Sequence, residues 1–321
     1  MEEFKYLIPE ESGDAISLDA RKLRLIEGSL RKIFDAHNYE ELMLPTFEYV
    51  DFYASIRDQA EDSMFQFVNS DGKRIALRTD FTLPIARIYN NERTNEVKRY
   101  SYFGKVYRLA KRHKGRSSEL YQIGTELIGL GGKAGDQECL SLIEETMASL
   151  DLKDLKIELG SAKFYLRLME LVKDDRLSGI LEKKQLSEMK RFIKEKGITG
   201  SLGRLLENLP TAFGSYEELM AFKDYVKDFE LLDAIDRMAA LYEGSKHKED
   251  IIFDLCMVPS QPYYTGVMIK GYSYYSAYPI LSGGRYDKLL SYFDNEVPAI
   301  GFSYHINTLL NAYVKEGEAD D

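Results

Sequence analysis

Tryptophan is missing from this sequence, and cysteine occurs only twice in 321 residues, at Cys139 and Cys256. Two thiols with no CxxC spacing give neither a disulfide framework nor a thiolate metal site, so both are expected as small buried apolar groups. Histidine is also scarce. His37, His113, His247 and His305 show no ligand spacing, and a surface position is expected for each. With no GxSxG elbow and no HExxH pair, no metal site and no resident cofactor are expected. No run of about 18 apolar residues is present, which leaves no membrane span. The opening MEEFKYLIPEES is acidic and lacks the apolar core of a secretory signal, so a cytoplasmic location is expected. Positive charge is in deficit as well. Lysine and arginine number 43 against 53 acids, a net charge of −10, and such a chain is a poor general binder of nucleic-acid phosphates.

Against these absences stand 44% hydrophobic and 30% charged residues, the balance of a folded globular protein. The 23 tyrosines are aromatic bodies with polar tips, suited to lining pockets. The length suits one large domain, or one carrying an insertion. Leu23, Ile26, Leu30, Ile33 and Phe34 recur at three- and four-residue spacing and predict an amphipathic helix over 17–37. Residues 39–47 read as a strand interrupted by Pro45. MFQFV and RIALR around Asp71-Gly72 read as a hairpin. A helix is expected over 81–90, strands over 98–109 and 119–128, a helix over 136–150 and a strand near 155–159. From 161 to 245, Leu, Lys and Glu at helical spacing, with breaks near Gly197, Gly203, Pro210 and Gly214, read as a helical insertion. Strand patterns then return in IIFDLCMV, YYTGVMIKGY and AYPILSGG, with a last helix after Gly301. The fold class this implies is α+β: an antiparallel sheet with helices on one side, built from 1–160 and 246–321 around an insertion at 161–245.

Four clusters stand out chemically. The stretch 98–116 carries Lys98, Arg99, Lys105, Arg108, Lys111, Arg112, Lys114 and Arg116 without one acid, and in an acidic protein it concentrates anions locally. It reads either as a phosphate-facing hairpin or as a solvated loop. Asp80 and Thr82 precede a helix, while Gln122 and Glu126 lie four apart on one strand and share a face; Gly124 between them is assigned to the opposite face. Acids on a sheet face are costly to bury unless paired or bound to a ligand. These residues therefore either grip an amino group and a polar side chain, or form salt bridges with Arg78 or Arg87. Tyr263 and Tyr264 are adjacent on a strand pattern, so only one of them is expected to enter a given pocket. Ser282-Gly283-Gly284-Arg285-Tyr286-Asp287 reads as a strand-to-helix turn, too short for a phosphate-binding fingerprint.

Taken in order, these segments resemble class II histidyl-tRNA synthetase. YEELMLPTFE (39–48) is similar to its motif 1, the homodimer interface, and FGKVYRLAKRHKGRSSELYQIGTELIG (103–129) to motif 2. LRTDFT (77–82) is similar to the segment LRPEGT, and DLCMVPSQPYYTG (254–266) to the stretch ending RGLDYYTG. LSGGRYDKLL and PAIGFSYHINTLL resemble the GGRYD turn and motif 3. The ordered matches run from about 17 to 310. The resemblance implies that Asp80, Thr82, Gln122, Glu126, Tyr263 and Tyr264 stand around a histidine pocket. Glu126 and Tyr264 would serve the imidazole, which offers one donor and one acceptor. Arg108 matches the motif 2 arginine that contacts ATP, and Asp80 replaces the family's glutamate, one methylene shorter.

Three arginines of the synthetase are replaced: one by Pro259, one in motif 3 by Thr308, one in motif 2 by Ser118. Preorganised cations stabilise the charge that develops during adenylate formation, and each loss typically costs ~10²–10³ in rate. Proline offers neither a side-chain donor nor an N–H. The sequence also ends shortly after motif 3, so no anticodon-binding domain is expected. A synthetase-like body without these arginines resembles the regulatory subunits of short-form ATP phosphoribosyltransferase. That resemblance implies no catalysis of its own, a catalytic-subunit partner in a hetero-octamer, a homodimer through motif 1, and histidine as feedback effector. Arg108, Lys111, Arg112, Lys114 and Arg116 would then face an anion or the partner. An amino-acid-activating enzyme and a tRNA-binding module are the alternatives, and the acidic balance counts against tRNA.

Overall fold

Leu23, Ile26, Leu30, Ile33 and Phe34 fall on one face of α1 (Leu18–Ala36). Ile26, Leu30 and Phe34 are buried, and the Phe34 ring meets Phe103 and Phe302 at centroid distances of 6.0 and 6.4 Å. The computed structural model describes residues 18–56, 60–109, 117–152 and 154–320. After α1 come β1 (Glu40–Glu41), β2 (Phe47–Tyr49), α2 (Val50–Ala54), β3 (Gln66–Val68), β4 (Arg74–Leu77) and α3 (Thr82–Asn91). The long pair β5 (Lys98–Tyr107) and β6 (Glu119–Ile128) precedes α4 (Gly132–Ala148) and β7 (Leu155–Ser161). Helices α5 (Ala162–Val172), α6 (Arg176–Lys183), α7 (Leu186–Lys196) and α8 (Gly200–Asn208) follow, then β8 (Phe213–Gly214), α9 (Tyr216–Phe222) and α10 (Phe229–Glu243). The chain closes through β9 (Ile251–Asp254), β10 (Val267–Ser273), β11 (Leu281–Arg285), β12 (Ala299–His305) and α11 (Ile306–Asp320).

A nine-stranded sheet runs β1-β5-β6-β12-β11-β10-β7-β9-β8, and a small sheet runs β2-β4-β3. The large sheet is antiparallel from β5 to β7 and parallel only at the β1–β5 and β7–β9 pairings. This is an α+β fold. Strand alternation sends Ile123, Leu127, Ile300, Phe302 and Tyr304 into the core shared with α1, α4, α5 and α10. Tyr100, Tyr102, Val106 and Ile128 face the other way, against α2 and α3. Helices therefore cover both faces of the sheet, not one as expected, because α3 and the small sheet fill the second face. Leu168, Leu177, Met189, Leu205 and Ile235 of α5 to α10 share one apolar cluster with Ile157, Leu159 and Phe253 of the sheet.

Two boundaries differ from the sequence reading. The expected strand 39–47 breaks into β1 and β2, which belong to different sheets, with Pro45, which has no N–H to donate, between them. The last helix begins at Ile306; residues up to His305 are strand, paired with β6 and β11. No helix among the described residues is long and apolar enough to cross a membrane.

Candidate functional site

On the face opposite α4, the strands β6, β12 and β11 floor a cleft. In the β6–β12 register Gly301 stands opposite Glu126, Ser303 opposite Gly124 and His305 opposite Gln122. Four residues of strand at ~3.4 Å each put the Glu126 end about 14 Å from the Gln122 end. The N-terminus of α3 supplies Asp80 and Thr82 as one wall, and the segment before β10 supplies Tyr263 and Tyr264 as another. All six candidate amino-acid contacts, Asp80, Thr82, Gln122, Glu126, Tyr263 and Tyr264, line this one cleft, together with Arg108.

Glu126 is 2% exposed and pairs with no cation among the described residues. Thr82 Oγ1 donates to Glu126 Oε1 at 2.7 Å, and Tyr286 Oη donates to Oε2. Burial pushes the carboxyl up to about 7, the two hydroxyl donors oppose that rise, and the Asp80 charge adds to it. The salt bridges weighed as an alternative do not form. Arg87 forks onto Glu48 at 2.5 and 2.6 Å, and Arg78 donates to the carbonyls of Lys105 and Leu44 at 2.7 Å. At the α3 end, Asp80 Oδ1 accepts the Leu83 N–H at 3.0 Å, which fixes its carboxylate at the cleft wall.

The other end of the cleft is basic. Arg108 follows β5 directly, and its Nε donates to the Thr79 carbonyl at 2.8 Å. His305 Nε2 lies 2.8 Å from Ser282 Oγ, and Gln122 Nε2 donates to Ser303 Oγ at 3.4 Å. Desolvation, then the Arg108 charge, pushes the His305 imidazole down to about 4, so it is neutral near pH 7. Burial likewise pushes the Tyr264 phenol above its usual range. The cleft thus offers the Glu126 carboxyl with its hydroxyl donors at one end, a guanidinium and a neutral imidazole at the other, and the Asp80 carboxylate on its wall. That polarity suits a zwitterion with a hydrogen-bonding side chain.

Several sequence expectations are corrected here. Tyr263 and Tyr264 precede β10 in a turn rather than alternating along it, so both rings enter the cleft, 5.7 Å apart and edge-on. Gly124 shares the face of Gln122 and Glu126, as a two-residue period requires. A methyl there would stand 2.5 Å from Tyr102 Oη. Gly283 and Gly284 lie inside β11 and form no turn before a helix; at Gly284 an added methyl would meet the Tyr264 ring at 3.1 Å. His305 is half-buried in the cleft, not on the surface. His37 is surface-exposed and bonds Glu145 at 2.7 Å, while His113 lies outside the described residues. Cys139 and Cys256 are free and buried as expected.

Lys111, Arg112, Lys114 and Arg116 lie outside the described residues. Pro259, Thr308 and Ser118 do not line the cleft, and Arg108 is the one arginine or lysine that does among the described residues. Ser118 instead accepts the Arg108 N–H at its carbonyl, 2.9 Å away. Residue reasoning missed Tyr286 and His305. Tyr286 shares the parity of Ser282 and Gly284, and His305 that of Gly301 and Ser303. Extending the AYPILSGG strand by two residues would have brought Tyr286 to light, and reading a strand rather than a helix after Gly301 would have brought His305.

The profile of the family described as Histidyl-tRNA synthetase matches residues 13–309. An ATP phosphoribosyltransferase regulatory subunit of Lactococcus lactis subsp. lactis is 41% identical, covering 100% of this chain and 99% of the relative. The subunit of the same name from Caldanaerobacter subterraneus subsp. tengcongensis is 34% identical over 98% of this chain and 84% of its own. Among solved structures, an ATP phosphoribosyltransferase regulatory subunit/histidyl-tRNA synthetase from Bacillus halodurans superposes with a TM-score of 0.87 at 26% identity, covering 96% of this chain and 83% of that one. A histidine–tRNA ligase subunit from Alicyclobacillus acidocaldarius, at 22% identity and a TM-score of 0.78 over 97% of this chain and 98% of that one, shares the fold.

Proposed function

The chain belongs to the histidyl-tRNA synthetase family, among the ATP phosphoribosyltransferase regulatory subunits, and on that footing we propose that it is a non-catalytic subunit that senses histidine for its catalytic partner. One observation carries the reading. The cleft keeps a buried acceptor for a ligand N–H, Glu126 with its two hydroxyl donors, yet among the described residues its single guanidinium is Arg108. Phosphoryl and acyl-phosphate chemistry needs several preorganised cations at the developing charge, and Pro259 and Thr308 supply none. Histidine would set its ammonium toward Asp80 and its imidazole between Glu126 and Tyr264, with its carboxylate toward the Gln122–Arg108 end. Feedback then requires only that histidine bind two states of the complex unequally, by ~1–3 kcal/mol. The same reading places the chain in the cytoplasm beside its enzyme and treats 161–245 as an insertion in the synthetase-like body.

The proposed assembly is a hetero-octamer with the catalytic subunit, built on a homodimer through the motif 1 region. Phe47, Tyr49, Phe67 and Val68 support the homodimer: they are 40–64% exposed and lie on the small sheet, with the Phe47 and Phe67 rings edge-on at 5.5 Å; Met43, just before that sheet in sequence, is 93% exposed. Exposed apolar clusters of this kind mark association surfaces. Two measurements on the pure chain test the function. Calorimetry should detect histidine binding, weakened in Glu126→Gln and in Tyr264→Phe; unchanged affinity in both variants puts the effector elsewhere. Histidine-dependent ATP–pyrophosphate exchange should be absent, and robust exchange would instead make the chain an amino-acid-activating enzyme.

A further inference from the structure

The turn that carries Tyr263 and Tyr264 into the cleft is held from the opposite face of the sheet. Thr265 N donates to the Arg285 carbonyl at 2.8 Å, and Asp287 N donates to Thr265 Oγ1 at 3.0 Å. Gly266 lies against the Arg285 stem, where an added methyl would stand 2.9–3.1 Å from three of its carbons. Arg285 itself is 1% exposed. Its guanidinium donates to Asp136 Oδ1 at 2.5 Å, Asp287 Oδ1 at 2.8 Å and the Gly132 carbonyl at 3.3 Å. Asp136, 1% exposed on α4, takes a second cation: Arg237 Nε of α10 donates to its Oδ2 at 2.8 Å.

Arg237 balances the cluster, two guanidiniums against the carboxylates of Asp136 and Asp287. It also supplies orientation, since a carboxylate held at both oxygens by donors on two different elements cannot rotate without breaking one of them. The Arg237 side chain is 37% exposed; its removal takes the donor from Asp136 Oδ2 and leaves Arg285 on Oδ1. Close-packed interiors transmit such displacements rather than absorb them.

We propose that Arg237 is a positioning residue for the effector cleft: through Asp136 and Arg285 it sets the Tyr263–Thr265 turn, and so ties the helices of 162–243 to ligand occupancy. This rests on the histidine-sensing reading. Linkage makes the effect reciprocal, so a ligand that fixes Tyr264 also steadies α10.

The test uses the full-length chain as Arg237→Gln and Arg237→Lys, with three readouts: histidine affinity by calorimetry, thermal midpoint without ligand, and amide exchange across residues 229–243 with and without histidine. Arg237→Gln is expected to weaken histidine about fivefold and to lose the ligand-dependent protection of α10, while Arg237→Lys recovers most of both. A lower midpoint with unchanged affinity and protection makes Arg237 purely structural and overturns the inference. A wild-type chain that binds no histidine overturns the sensing reading, and this inference with it. A wild-type chain that binds, with Arg237→Gln indistinguishable from it, overturns this inference alone.

Discussion

Glu126 sits in the sheet face with hydroxyl donors and no counter-charge among the described residues, and its rise from 4.5 to about 7 corresponds to about 3 kcal/mol against the ionised form. The sign follows from proton counting. Between about 4.5 and about 7 the folded chain holds a proton that the unfolded chain has released, so this group lowers stability as pH rises through that window. A ligand N–H aimed at the carboxylate reverses the preference and expels the proton. Histidine affinity should therefore rise from about pH 6 to about pH 8 in wild type relative to Glu126→Gln, the variant serving to cancel titration of the ligand's own imidazole. Calorimetry at the two pH values checks this, and a constant ratio would remove Glu126 from the site. At the upper pH, Glu126→Gln should weaken histidine about tenfold, the usual loss of a hydrogen bond to a charged group. At this scale the sequence was readable where a polar residue interrupts an apolar strand, as Gln122 and Glu126 do. It was silent on Tyr286 and His305, whose roles depend on strands extending further than their glycine-rich composition suggests.

Single elements make room for the cleft by omitting side chains. At Gly124 a methyl would collide with the Tyr102 hydroxyl and the Phe302 carbonyl, while at Gly28, on α1, nothing lies within 4 Å. Thermal unfolding should separate the two. Gly124→Ala is expected to destabilise by ~1–3 kcal/mol through overpacking, and Gly28→Ala to stabilise by ~0.5–1 kcal/mol through helix propensity. A neutral Gly124→Ala would mean that the Tyr102 ring has slack. The β5–β6 hairpin was legible because both strands are long and rich in β-branched and aromatic residues. Strand β12 was not: Gly301 and Ser303 break its apolar pattern because they face the cleft instead of the core. The turn at Tyr263 escaped for a related reason, since two adjacent aromatics read as strand when only local pattern is weighed.

For the whole molecule, the proposed function asks three features to act together: the apolar small sheet in self-association, a surface for the catalytic subunit, and the cleft. Phe67→Glu should shift the chain from dimer to monomer in sedimentation experiments, because it places a charge beside Phe47 at the centre of the exposed apolar cluster; an unchanged dimer would move the interface elsewhere. The α+β class was legible from element order alone, whereas the second helical face was not. The crossing of the sheet by the Arg237–Asp136–Arg285 chain was not, because its bonded pairs lie 101 and 149 positions apart in sequence and no local pattern announces them. The account as a whole stands or falls on whether occupancy of this cleft governs the partner enzyme. The direct measurement is histidine inhibition of phosphoribosyltransferase turnover in complexes reconstituted with wild-type or Glu126→Gln chain. The account predicts that the variant complex turns over normally while its inhibition curve moves to about tenfold higher histidine; superimposable curves would contradict it.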